Sequence, residues 1–140
     1  MRWLARALDL LYPRTCPLCE CAAEEGICGA CASKVGWIGD DDCPRCGAAR
    51  PGEWCAACTG REFRFRRAVA LGAYEGVLRA LVLGLKFHGQ RSLAPTLGRR
   101  LADRVRSRGL PVDLVTYVPM SRWKLLRRRY NPAELLAGTL

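Results

Sequence analysis

The residues best able to do chemistry in this sequence are its cysteines. Of nine in 140 residues, eight fall as Cys16-x-x-Cys19, Cys28-x-x-Cys31, Cys43-x-x-Cys46 and Cys55-x-x-Cys58, and Cys21 stands outside any pair. A C-x-x-C turn sets two thiolates on one side of a tight loop, and two such knuckles complete the tetrahedral four-thiolate shell that Zn²⁺ prefers. Turn-forming residues accompany the knuckles: Pro17 follows Cys16, Gly29 follows Cys28, Pro44 follows Cys43 and Gly47 follows Cys46. The gap from Cys19 to Cys28 equals that from Cys46 to Cys55, so residues 16–31 and 43–58 read as two copies of one short ribbon. The repeat favours sequential pairing, with each ribbon closing its own site. An interleaved arrangement, first knuckle with third and second with fourth, stays open. A redox C-x-x-C of the thioredoxin kind belongs beside a βαβ pattern, and none surrounds any of these four copies. Cys21 reads as a spare thiol. Closed four-thiolate shells leave no position for water, and a stretch of about 45 residues has too little core to fold without metal, so two structural zinc ions are expected and no chemistry at the metal.

The second chemical feature is positive charge. The chain has 23 Lys+Arg against 13 Asp+Glu, and the excess is confined to one half. Residues 1–60 hold six basic and eight acidic side chains, whereas residues 61–140 hold 17 and five. Two zinc sites, each with four thiolates, lower the formal net charge from +10 to about +6 without touching the basic half. That half is the candidate surface for phosphate or nucleic acid. Its densest stretch, the loop from Met120 to Tyr130, carries Arg122, Lys124, Arg127, Arg128 and Arg129 and leads into a helix start. Arg127, Arg128, Arg129, Tyr130 and Asn131 are candidate phosphate or nucleic-acid ligands, joined by Lys86 from a helix surface. An exposed turn of solvated arginines is the plainer alternative. Solvation is likewise the plain reading for Arg99, Arg100, Arg104, Arg106 and Arg108, whose spacing scatters them around a helix. No general acid or base is apparent, since His88 is the sole histidine and stands at a helix end.

Elements that would position these groups follow from periodicity. Arg67–Tyr74 reads as a buried strand stopped by Glu75-Gly76. Val77, Leu78, Leu81, Val82 and Leu85 form the apolar stripe of a helix that ends at His88-Gly89 and leaves Arg79 and Lys86 outside. A second helix starts near Ser92 as N-cap, with Leu93, Leu97, Leu101 and Val105 on one face and Gly109 as its stop. Asp113–Val118 reads as a second buried strand closed by Pro119. Asn131 as N-cap, Pro132 at the first helical position and Glu134 open a last helix, whose face of Leu135, Leu136 and Leu140 runs to the end of the chain with no C-cap.

Half the residues are hydrophobic, which excludes a disordered polycation. The longest apolar run, Ala80–Leu85, is far short of the roughly 18–20 residues of a membrane span. Arg6 and Asp9 interrupt what would be the apolar core of a signal peptide. A cytosolic, cytoplasmic protein with reduced thiols is expected.

Taken together, these motifs resemble the ComF family of competence-associated, phosphoribosyltransferase-like proteins. The resemblance rests on Leu11-Tyr12-Pro13, the double ribbon, Tyr74-Glu75-Gly76 with Leu78-Arg79, Leu85-Lys86-Phe87 with Gly89, and Val118-Pro119. It continues through Arg127-Arg128-Arg129-Tyr130-Asn131 and Ala133-Glu134-Leu135-Leu136-Ala137. The family's usual late motif is Arg-Gly-Phe-Asn-Gln-Ala, so Arg129, Tyr130 and Pro132 depart from it. The acidic Val-Asp-Asp…Thr-Thr-Gly segment that cradles the 5-phosphate of phosphoribosyl pyrophosphate has no match here; Asp40-Asp41-Asp42 lies between the ribbons and is no substitute. The resemblance implies an α/β protein: an N-terminal helix and double zinc ribbon in residues 1–60, then an incomplete type I phosphoribosyltransferase-like domain in residues 61–140, truncated at its C-terminus. It implies a role in DNA uptake and natural transformation, with single-stranded DNA or a phosphoribosyl compound as partner beside the competence machinery. The pyrophosphate side would fall at Val118-Pro119, and Mg²⁺ would enter only with a complete, active enzyme. A narrow sheet of two strands is poorly able to stand alone, so weak cooperativity outside the zinc module or homodimerisation is expected.

Overall fold

A computed structural model describes residues 15–23, 26–49 and 55–140. The N-terminal helix expected before the ribbons lies outside these residues. Each ribbon begins with the same backbone device. The Cys16 N–H donates to the Cys21 carbonyl and the Glu20 N–H to Cys16; in the second ribbon Cys43 donates to Ala48 and Gly47 to Cys43. Isolated antiparallel bridges flank them, Thr15 with Ala22 and Asp42 with Ala49. The shared turn forces the residue after each second cysteine into the left-handed region, at φ 61° for Glu20 and φ 70° for Gly47. In the first ribbon the second knuckle continues into a short helix, α1 (Gly29–Ala32).

Four more helices follow: α2 (Gly76–Phe87), α3 (Leu93–Ser107), α4 (Arg122–Arg128) and α5 (Pro132–Ala137). In α2 the expected stripe is the buried one, with Leu78, Leu81 and Leu85 facing inward beside Gly84. In α3 the buried face is Leu93, Ala94, Leu97, Gly98 and Ala102. Leu101 and Val105 are only half-buried. Ser92 occupies the N-cap position without a side-chain cap; the helix is entered instead through a turn in which Leu93 and Ala94 donate to the Gln90 and Arg91 carbonyls. Gly109, at φ 59°, stops it as expected.

The core gathers Val35, Leu78, Leu81, Leu85, Leu93, Ala94, Leu97 and Tyr130, with Ile27, Trp37 and Leu71 packed against it. Residues on both sides of position 60 therefore share one apolar interior. Gly26 of the first ribbon lies so close to the start of α3 that a Cβ there would meet the Ser92 carbonyl oxygen at 2.5 Å.

The sheet expected of an α/β fold is not formed, and the described residues contain helices and isolated bridges only. Residues 67–74 borrow partners piecemeal: Ala68 donates to the Arg45 carbonyl, Ile38 donates to Leu71, and Gly72 bridges Trp37. Residues 113–118 have no ladder partner among the described residues, and Leu114 and Val118 are 83% and 81% exposed. Apolar content marks a segment as fit for a sheet interior, but a strand forms only against a neighbour that satisfies its edge. The loop expected over Met120–Tyr130 is largely the helix α4, because Lys124, Leu125, Leu126, Arg127 and Arg128 are good helix formers and Ser121 accepts the first-turn bond from Leu125. The last helix stops short of the expected end: Gly138 caps α5 by donating to the Glu134 carbonyl.

Candidate metal centres and a basic face

The ribbon turns place the cysteine sulfurs in two groups, Cys16, Cys19, Cys28 and Cys31, and Cys43, Cys46, Cys55 and Cys58, each within 4.8 Å of one another. This is the sequential pairing; the interleaved alternative is not adopted. A tetrahedron with Zn–S bonds of about 2.3 Å has sulfur–sulfur edges of about 3.8 Å. The Cys19–Cys28, Cys46–Cys55 and Cys43–Cys58 sulfurs lie 3.4, 3.6 and 3.7 Å apart, so both groups fit a structural zinc ion. Cys21 is exposed and belongs to neither.

Electrostatics differ in the same way across each group. Burial works against a thiolate at Cys16, but the backbone N–H groups of Cys28, Leu18 and Cys19 outweigh it and lower its pKa to about 6. The N–H groups of Cys46 and Arg45 lower Cys43 to about 6 despite its burial. At the other end of each site the hydrogen bond to Cys19, with burial, pushes Cys31 up to about 12, and burial, with bonds to Cys46, Cys43 and Cys55, does the same to Cys58. Four sulfurs at this spacing cannot all ionise until a cation neutralises them.

The basic residues form a separate face. No residue of α4 is buried, and Trp123 is 83% exposed beside Arg122, Lys124 and Arg127. Arg128 stacks 4.4 Å from the Phe87 ring centre, which joins the C-terminal ends of α2 and α4 and sets exposed Lys86 at the same corner. Arg129 ends α4 in the left-handed conformation, φ 62°, with its carbonyl accepting from Arg91 at 3.2 Å. The other two candidates serve the fold. Tyr130 is buried and its hydroxyl donates to the Leu85 carbonyl, while Arg91 covers its ring at 4.4 Å. Asn131 caps α5 by accepting from the Ala133 N–H at 3.0 Å, and its amide donates to the Val118 carbonyl at 3.0 Å. His88 follows α2 as its C-cap.

Several of the α3 arginines expected in solvent are engaged. Arg100 stacks 4.3 Å from the Trp37 ring centre, and Arg106 pairs with Asp103 at 2.9 Å. Arg104 and Arg108 meet the buried carboxylate of Asp42. Sequence reasoning missed Asp42, although a signal was present: it occupies the place that Thr15 holds in the first ribbon.

Residues 7–59 match the double zinc ribbon domain family. Over 126 aligned residues, covering 84% of this chain and 54% of the relative, the chain is 29% identical to Competence protein F of Haemophilus influenzae. It thus spans about half the length of that curated relative. No solved structure matches it. Among the described residues no helix is long and apolar enough to cross a membrane. One chain thus carries a match to the double zinc ribbon together with this likeness to Competence protein F.

Proposed function

We propose that this chain is a competence-associated, zinc-stabilised protein that grips single-stranded nucleic acid through α4 and the corner beside it. The observation that carries the proposal is a helix with no buried residue, bearing three exposed cations around an exposed tryptophan. Arg122, Lys124, Arg127, Arg129 and Lys86 supply phosphate contacts, and Trp123 supplies a stacking platform that accepts any base. Arg128 keeps its stack on Phe87 and turns its charge to the same corner. Tyr130 and Asn131 act beneath them by holding the ends of α4 and α5 in place. The eight paired cysteines hold two zinc ions, and the metals supply rigidity. The relative's name, Competence protein F, supports a role in DNA uptake.

The test is fluorescence anisotropy with a labelled oligothymidylate over a range of salt. Affinity falls steeply with salt, and R127A/R128A/R129A flattens that dependence by about two phosphate contacts, those of Arg127 and Arg129. Trp123→Ala weakens binding by about 1–3 kcal/mol at constant salt, the value of one stacked base. Affinity insensitive to salt and to Trp123 rules the reading out.

A second reading is favoured by the segment 113–118, whose apolar side chains are exposed on both faces as a sheet strand's would be without its neighbours. On this reading residues 1–60 are the zinc module and residues 61–140 belong to a phosphoribosyltransferase-like α/β unit in which 67–74 and 113–118 are strands. Saturable binding of phosphoribosyl pyrophosphate with Mg²⁺, abolished in R127A/R128A/R129A, would favour it over nucleic acid.

A further inference from the structure

The two ribbons share one fold but dock on α3 differently. The first lies against its N-terminal end through backbone packing, Gly26 on Ser92. The second is tied to its C-terminal turn by charge. The Asp42 side chain is 3% exposed and pairs with Arg104 at 3.3 Å and, in direct contact, with Arg108. Both arginines also donate to backbone on the same side of the knuckle, Arg104 to the Gly39 carbonyl and Arg108 to the Asp40 carbonyl at 2.9 Å. Arg67 closes the clamp from the other side, with its Nε donating to the Pro44 carbonyl at 2.7 Å and its Nη1 to the Arg108 carbonyl at 3.2 Å.

The second-ribbon groups held by the clamp, at Gly39, Asp40, Asp42 and Pro44, are all within four residues of Cys43, and Arg104 Nε also donates to the Ala70 carbonyl at 3.2 Å. The backbone from Gly39 to Pro44 has its course fixed at one end by the knuckle, and the knuckle is fixed by the metal that its sulfurs share. Burying Asp42 is favourable only while both guanidinium groups face it, and burying the guanidiniums needs Asp42 and these carbonyls in register. We infer that the second metal site and the C-terminal turns of α3 are energetically coupled through Asp42, so that metal bound by Cys43, Cys46, Cys55 and Cys58 orders α3 and the arginines in turn tighten that site. Among the described residues of the first ribbon, Thr15 stands at the matching place and carries no charge. Coupling of this kind is reciprocal, so either partner reports it.

The test uses the full chain loaded with zinc. A competing chelator is titrated in, and mass spectrometry of cysteine alkylation reads which group of sulfurs is released. Asp42→Asn keeps the size of the side chain and the backbone bridge to Ala49 while removing the charge. It should lower the affinity of the Cys43–Cys58 site by roughly tenfold, as loss of a group that orients metal ligands does, and leave the Cys16–Cys31 site unchanged. Asp42→Glu should restore most of the loss. In the reciprocal arm, Cys55→Ser should speed amide hydrogen exchange over residues 104–108 and leave residues 93–98 protected. Equal loss at both sites, no loss at either, or unchanged exchange over 104–108 would overturn the coupling.

Discussion

At the level of single residues, the repeat exposes one position where the sequence and its backbone disagree. Glu20 and Gly47 occupy the same left-handed turn, but only glycine adopts it without steric cost. Glu20→Gly should therefore stabilise the first ribbon by about 0.5–1 kcal/mol, read as a higher chelator midpoint for Cys16–Cys31 release. Gly47→Glu should do harm, since a Cβ there would stand 2.8 Å from the Ala68 carbonyl oxygen. The thiols set the pH dependence. The Cys16 and Cys43 thiols are lowered to about 6 and those of Cys31 and Cys58 pushed up to about 12, so at pH 7 zinc has to expel the protons of the high pair but not those of the low pair. Below about 6 it must also displace those of the low pair. Apparent zinc affinity should fall with decreasing pH and fall more steeply below about 6, with more protons released per metal, which calorimetry in buffers of different ionisation enthalpy measures.

Among the elements, α2 and α3 supply the apolar interior and α4 supplies none of it. Leu81 is fully buried, and Leu81→Ala should cost about 2–5 kcal/mol. Asn131→Ala removes both the cap of α5 and the bond to Val118 and should cost about 1–2 kcal/mol; thermal unfolding of the zinc-loaded protein measures both. Much of this was legible in the sequence. The 3.6-residue stripe of Val77 to Leu85 is dense enough to mark a helix by itself, and Asn131-Pro132 is a start signal whose geometry depends on nothing distant. The ribbons were legible because cysteine spacing is a local constraint. The two segments read as strands form no ladder among the described residues, because alternation and apolar content describe a side chain's preference and not the presence of a neighbouring strand. The arginine clamp was hidden for a similar reason: Arg104 and Arg108 look like surface residues until the second ribbon is folded against them. Within the basic stretch, charge marked the right region, but it could not show that Tyr130 is spent on Leu85 while Trp123 is left bare.

For the molecule as a whole, the exposed segment 112–118 sets the solution behaviour. Val112, Leu114, Val115, Tyr117 and Val118 are all exposed, an apolar strip beside backbone groups with no ladder partner among the described residues. Leu114→Ser with Val118→Ser should reduce self-association in sedimentation velocity and leave the melting temperature nearly unchanged, because neither side chain contributes to the core. A matching fall in melting temperature would show that the strip is packed in solution. The left-handed turns, bridges and knuckles of the two ribbons are nearly superposable in their bonding, and yet one ribbon leans on α3 through a glycine and the other through a carboxylate. The repeat has therefore lost its interchangeability. A chimera with the first ribbon's sequence in the second position would fill with metal and still fail to seat, and an insertion that lengthened α3 by a turn would pull the two ribbons out of phase with each other.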